Sequence, residues 1–210
     1  MSICKVCFKD LDNEIYVNDL FNIKPHNICN NCYQKFQLIM NEYKIQNIKI
    51  FIAYRYNSFI KEIIYKYKGL YDIELKSIFI ENIIDELKNK YRGYTITFAP
   101  SFESEDRKRG YNHVEEMFSN WNTNKIKLFY KKENIKQSSQ SKQLRKDIKK
   151  IIGINSNFIK EIKKLLIVDD IVTTGNTLIS CYNLAKKEGI KKVKLLALFS
   201  SINSCRNMSK

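Results

Sequence analysis

The chain has 210 residues, 44% of them apolar and 12% aromatic, enough for one domain with a buried core and a small appendage. Six glycines and two prolines exclude collagen-like and proline-rich classes, six cysteines are too few for a disulfide-built secreted scaffold, and no apolar run nears the ~20 residues that span a bilayer. Lys and Arg number 37 against 22 Asp and Glu, a net charge of +15; this points to a polyanionic partner, or to a coding bias that inflates Lys, Ile and Asn. The start Met1-Ser2-Ile3-Cys4 leaves no room for a signal peptide before the first cysteine, so the expected location is cytoplasmic, with no membrane insertion.

In chain order, the potential metal ligands lie before Tyr33. Gln34 to Ile50 carries Phe36, Ile39, Met40 and Tyr43 at helical spacing and reads as a connecting helix. A strand (Phe51 to Tyr54) precedes a helix from about Ser58 to Tyr67 that buries Ile60, Ile63, Ile64 and Tyr67 and stops at Gly69. A second helix follows over about Asp72 to Lys90, then a strand (Thr95 to Phe98), a loop, a short helix (His113 to Phe118), a strand (Lys127 to Tyr130) and a long polar loop. Strand Leu165 to Val168, helix Thr177 to Glu188 and strand Val193 to Phe199 close the chain. Strands alternating with helices predict an α/β domain with a parallel sheet over 51–210, a small N-terminal module over 1–35 and a linker over 36–50.

Cys4-x-x-Cys7 and Cys29-x-x-Cys32 stand 21 residues apart, the spacing of a zinc-ribbon or treble-clef module. Four thiolates converging on one Zn2+ leave no open coordination position, so the ion is expected to be structural and to supply much of the module's folding free energy. The competing readings are a redox dithiol and His26 replacing one cysteine; Cys181 and Cys205 have no partner at ligand spacing, and Cys181 lies on an apolar helix face.

The most specific string is Leu165-Leu166-Ile167-Val168-Asp169-Asp170-Ile171-Val172-Thr173-Thr174-Gly175-Asn176-Thr177-Leu178. An apolar run ends in two acids, and a Thr/Gly loop then opens a helix whose N-terminal N–H groups and dipole favour a phosphate. Thr173, Thr174, Gly175, Asn176 and Thr177 therefore read as a phosphate cradle. It is neither a Walker loop, which needs a Lys before the Thr, nor a dinucleotide fingerprint, which needs G-x-G. Two carboxylates at the carboxyl end of a parallel strand suit the vicinal hydroxyls of a sugar, which makes a ribose 5-phosphate the suggested ligand. Surface acids that merely cap a helix are the bland alternative.

This string resembles the phosphoribosyl pyrophosphate (PRPP) motif of type I phosphoribosyltransferases, and together with an N-terminal Cys4 module it resembles the ComF (ComFC-like) competence protein family. Phe51 to Tyr54, Tyr65-Lys66-Tyr67-Lys68-Gly69, Arg107-x-Arg109-Gly110-Tyr111-Asn112-His113 and Gln137 to Arg145 resemble further segments of that family, in order along nearly the full chain. The resemblance implies a type I phosphoribosyltransferase-like fold, PRPP or ribose 5-phosphate as ligand, Mg2+ accompanying PRPP, and a pyrophosphate loop at Ala99, Pro100 and Ser101. It also implies an accessory role in natural transformation, handling incoming single-stranded DNA with the uptake helicase. The chain departs from the family at three positions: Phe98 stands for a proline, Glu105 for an arginine and Leu70 for an acid.

From Met1 to Lys35 the charge is balanced, four lysines against four acids, whereas Lys125 to Lys164 holds thirteen basic and three acidic residues, a net of +10. Lys131, Lys132, Arg145, Lys146, Lys149 and Lys150 therefore form the candidate nucleic-acid patch. The Gln/Ser-rich part, Asn134 to Lys146, is either a loop that closes over an anionic ligand or a solvated loop. Two further functions remain open on the sequence: an active phosphoribosyltransferase of nucleotide metabolism, and a non-enzymatic adaptor. No catalytic residue is identified.

Overall fold

The computed structural model describes residues 2–11, 27–132 and 152–201. Its centre is built from strands β1 (Leu38–Ile45), β2 (Ile48–Arg55), β3 (Thr95–Phe98), β4 (Lys125–Ile126), β7 (Lys164–Val172) and β8 (Lys192–Ser200), which form one sheet in the order β1-β2-β8-β7-β3-β4. All neighbours are parallel except β1, which pairs antiparallel with β2 at the edge. A two-stranded antiparallel ribbon, β5 (Phe129–Lys131) with β6 (Ile152–Ile154), stands apart. The helices are α1 (Asn30–Gln34), α2 (Ser58–Gly69), α3 (Ile84–Lys90), α4 (Glu103–Arg109), α5 (His113–Met117) and α6 (Asn176–Lys187).

Because successive strand residues face opposite sides, the apolar run of β7 feeds two cores. Leu166 and Val168 join one with α2 and α5, and Leu165 and Ile167 join the other under α6. α2 buries Ile60, Ile63, Ile64 and Tyr67, as its spacing predicts, and Asn57 caps it by accepting from Ile60 N at 2.9 Å.

The expected connecting helix over 36–50 is instead the β1–β2 hairpin. Gln46 and Asn47 both have positive φ, the conformation a two-residue hairpin turn requires. Met40, at φ 47°, inserts a bulge between Leu38 and Asn41. That extra residue turns a strand alternation into the three-and-four spacing that reads as a helix. The expected helix over 72–90 is broken into 3-10 segments at Ile73–Phe79 and Glu81–Ile83 before α3. Of the expected strand over 127–130, Phe129 and Tyr130 belong to the ribbon, while β4 ends before it at Ile126. α4 and a 3-10 segment at Ser156–Glu161 were read as loop.

Cys4, Leu11, Ile28, Cys29, Cys32 and Phe36 belong to the same hydrophobic cluster as the sheet, and Asn27 Nδ2 donates to Glu81 Oε2 at 2.7 Å. Phe36 meets Tyr54 and Phe59 edge-on. The cysteine segment is thus packed onto the α/β core. Among the described residues no helix is long and apolar enough to cross a membrane.

Candidate functional site

Two parallel strands deliver the site to the carboxyl edge of the sheet. β3 pairs with β7 from Thr95 opposite Leu165 to Phe98 opposite Val168, and Ala99 N then donates to Val168 O at 2.8 Å. The turn Ala99–Ser101 therefore lies beside Asp169, and the Thr173–Thr177 loop leads directly into α6. A shallow niche of about 40 Å3 is lined by Asp169 and the loop from Thr173 to Thr177. Next to it a cleft of about 240 Å3 is lined by Asp169, Thr177, Ala99, Pro100, Ser101, Arg109, His113 and Lys131. A wider cleft of about 760 Å3 continues past Ser101 toward Tyr130.

Gly175 precedes α6 at φ 74°, a conformation that strains any residue with a Cβ. A Cβ there would meet Ile45 Cδ1 at 3.3 Å, so the tip of the β1–β2 hairpin forms the floor of the loop. Gly175 has no side chain to cap the first N–H groups of α6, and the first of them, that of Asn176, meets only the Thr174 hydroxyl at 3.5 Å. These groups and the helix dipole suit a phosphate monoester.

The two acids of β7 part company. Asp169 continues the face of Leu165 and Ile167 and lines the niche and the 240 Å3 cleft. Asp170 continues the opposite face, where its side chain is only 6% exposed and pairs with the Lys68 ammonium; His113 Nε2 lies 3.8 Å from its other oxygen. Burial and the neighbouring Asp170 charge push Asp169 up to about 8. For Asp170, burial opposes ionisation, but the Lys68 charge and His113 outweigh it and hold the carboxyl well below its usual range. Burial lowers His113, so its imidazole is neutral at pH 7.

Lys68 and His113 fall within strings that resemble the family's, which does not by itself bring them to the site. What places them is lacing between helix ends. Tyr67 Oη donates to His113 O and Tyr111 Oη donates to Tyr67 O, both at 2.8 Å.

Around Ser101 the polar groups are already engaged. Asp106 Oδ2 accepts from Ser101 Oγ and from Asn112 Nδ2 at 2.9 Å, and Asp106 Oδ1 accepts from Arg109 Nη2 at 2.8 Å. Burial works against this carboxylate, but those hydrogen bonds hold it below the usual range. Glu103 and Glu105 share the first turn of α4 with Asp106, and the helix balances the three acids with Arg107, Lys108 and Arg109, which pair with Glu103, Glu105 and Asp106 in turn.

Lys131, expected in an outlying nucleic-acid patch, lines the cleft instead, its ammonium 4.3 Å above the Phe102 ring. Burial lowers its pKa against the pull of Asp169. Lys132 is exposed. Arg145, Lys146, Lys149 and Lys150 lie outside the described residues, as do His26 and Cys205; Cys181 is buried in the core under α6.

The four cysteine sulfurs of the N-terminal segment lie within 4.8 Å of one another, Cys7 Sγ and Cys29 Sγ at 3.6 Å. Tetrahedral thiolates at ~2.3 Å from one ion stand ~3.8 Å apart, so the donor set fits a four-thiolate metal site. Burial raises the Cys4 thiol, but backbone N–H groups of Cys29, Cys7 and Val6 outweigh it and bring it down to about 7. The carboxylate pair does not fit Mg2+: the two acids face opposite sides of the sheet and Asp170 is already paired with Lys68.

A family model described as a phosphoribosyl transferase domain matches residues 108–209, which include β7, the Thr173–Thr177 loop and α6. The chain is thus a protein with a phosphoribosyltransferase-type α/β domain, joined to an N-terminal cysteine cluster that could bind zinc. It is similar to the Competence protein ComFC of Streptococcus pneumoniae, which is 30% identical over 145 residues, 69% of this chain and 65% of that protein. The chain therefore spans just under two thirds of that relative's length. Among solved structures, a hypoxanthine phosphoribosyltransferase from Staphylococcus aureus is similar at 16% identity, covering 62% of this chain and 66% of that one with a TM-score of 0.39. A purine phosphoribosyltransferase from Pyrococcus horikoshii is similar at 16% identity over 59% and 84%, with a TM-score of 0.35.

Proposed function

We propose that the chain binds a ribose 5-phosphate unit, free or as PRPP, and serves natural competence as a cytoplasmic accessory protein that handles incoming single-stranded DNA with the uptake helicase. The observation that carries the sugar-phosphate part is the junction of Asp169, a hydroxyl acceptor or donor, with the uncapped N-terminus of α6 in one niche. The phosphate sits on the Thr173–Thr177 backbone and the sugar lies toward Asp169 and Ala99–Ser101. Competence comes from the similarity to ComFC. Calorimetric titration with ribose 5-phosphate, and displacement of it by PRPP, tests the site; absence of binding by either ligand overturns it.

Single-stranded DNA is assigned to the basic stretch Lys125 to Lys164, apart from Lys131. Replacing Lys132, Lys149 and Lys150 by Ala should flatten the salt dependence of DNA binding, by roughly 0.7 in log-log slope per lost phosphate contact. An unchanged slope removes the patch from the interface. The cysteine site is assigned Zn2+, one per chain, which elemental analysis of the wild type and of Cys29→Ser checks. A transferase would instead join a base to C1 of PRPP and release pyrophosphate. The hydroxyl of the Ala99–Ser101 turn is spent on Asp106 and is not offered to that anion, so binding without pyrophosphate release is the expected result.

A further inference from the structure

The acidic pair of β7 carries its own cation. Asp170 is buried, and the ammonium that meets it comes from Lys68, in the last turn of α2 and itself 27% exposed. The position of Lys68 is fixed by its neighbour: the Tyr67 hydroxyl is bonded to the first residue of α5 and the Tyr67 carbonyl to Tyr111. On the other oxygen of Asp170 stands the His113 imidazole, which is also buried. Mg2+ demands an octahedral shell of oxygen ligands and usually keeps several waters. A buried carboxylate flanked by an ammonium and an imidazole offers neither the oxygens nor the room. Among the described residues the four cysteines form the only cluster of three or more potential metal ligands.

We propose that Lys68 is the built-in counter-cation of this acidic pair, occupying the position at Asp170 that a divalent cation would otherwise take, so that the carboxylates bind no Mg2+ and Asp169 alone receives the ligand. The last clause rests on the sugar-phosphate reading; the exclusion of the metal does not. A buried carboxylate left without its partner is strongly disfavoured: without Lys68 it must take up a proton, directly or on His113 3.8 Å away, or a metal ion, and at alkaline pH the metal ion is what is left. Lys68 is thus a positioning residue, acting on the ligand through Asp170 and not by touching it.

The test uses the zinc-loaded full chain and two readouts. Mn2+, standing in for Mg2+, is titrated and its free fraction followed by electron paramagnetic resonance; Mn2+ is also a poor competitor for a thiolate site. Wild type is expected to show no Mn2+ site that Asp170→Asn removes. At mildly alkaline pH, where protonation does not compensate, Lys68→Met is expected to gain one, and adding Asp170→Asn is expected to abolish it. Lys68→Arg, which keeps the charge, should gain none. In the second readout, wild type binds ribose 5-phosphate equally with and without millimolar Mg2+. Lys68→Met binds about tenfold more weakly in Mg2+-free buffer and recovers when Mg2+ is added.

An Asp170-dependent Mn2+ site in wild type overturns the proposal, as does a folded Lys68→Met that gains none. If Lys68→Met does not fold, the wild-type and Lys68→Arg titrations decide. Failure of wild type to bind ribose 5-phosphate in either buffer overturns the sugar-phosphate reading alone, because the Mn2+ count still judges Lys68.

Discussion

Two loops at the same edge of the sheet face the same cleft with different polar groups on offer. The Thr173–Thr177 loop has no charged side chain, and the uncapped N-terminus of α6 behind it. The Ala99–Ser101 turn is followed within one turn of α4 by Glu103, Glu105 and Asp106, and its one hydroxyl is spent on Asp106. One loop offers backbone N–H groups and a helix dipole, and the other has side chains already spent on one another. The Asp169–Asp170 pair is divided in the same way, one acid facing the ligand and the other facing an internal cation.

The largest expected effect separates these two acids. Asp170→Ala strands the partly buried Lys68 ammonium and should destabilise the fold by about 3 kcal/mol in denaturant unfolding. Asp169→Ala removes a carboxyl whose ionisation the fold opposes, so at neutral pH it should leave stability unchanged or raise it. If both variants unfold alike, the division is wrong. Next, Asp169→Ala should weaken ribose 5-phosphate binding by about 1–3 kcal/mol, since a sugar hydroxyl loses its partner in the cleft. Unaltered calorimetric affinity would place the ligand elsewhere.

A third prediction concerns pH. The folded-state pKa of Asp169 is raised, so its contribution to stability is complete below the ordinary carboxylate value and is lost as pH rises toward about 8. Asp170 works the other way: its depressed pKa gives stability above the ordinary value that disappears in acid. Thermal melts of Asp169→Asn, whose amide mimics the protonated acid, should therefore lose the decline between mildly acid and mildly alkaline pH and keep the acid limb. A wild-type melting temperature that rises over that window contradicts the assignment. The smallest effect tests the second loop. Glu105→Gln should improve PRPP binding relative to ribose 5-phosphate by a few tenths of a kcal/mol, more at low salt, since Glu105 is largely exposed.

Much of this was legible in the sequence because local chemistry and fold agree. The Asp169 to Thr177 string, the helical spacing in α2 and the two cysteine pairs each carry their signal within a few residues. What escaped depends on contacts between distant segments. Met40 disguised a strand as a helix because one bulged residue alters the period. Lys68 was visible in a family-like string, yet only the packing of α2 against α5 brings it to Asp170. Lys131 counted as one charge among many until β5 turned it over Phe102. The opposed faces of Asp169 and Asp170 follow from strand alternation alone and could have been read at the start.

The hairpin beneath Gly175 sets an order of events. Ile45 and the loop it supports stand 130 positions apart in the chain, and the supporting strand lies outside the segment matched by the phosphoribosyl transferase family model. A ribosome delivering this chain finishes the hairpin long before it delivers the loop that rests on it. The cradle acquires its floor only when early and late segments meet, and a contact of that sequence separation forms slowly. A nascent chain released short of α6 would hold the hairpin and the cysteines but no anion site. Ligand capture in that niche therefore requires that the chain has been made at least through α6 and that hairpin and loop have met.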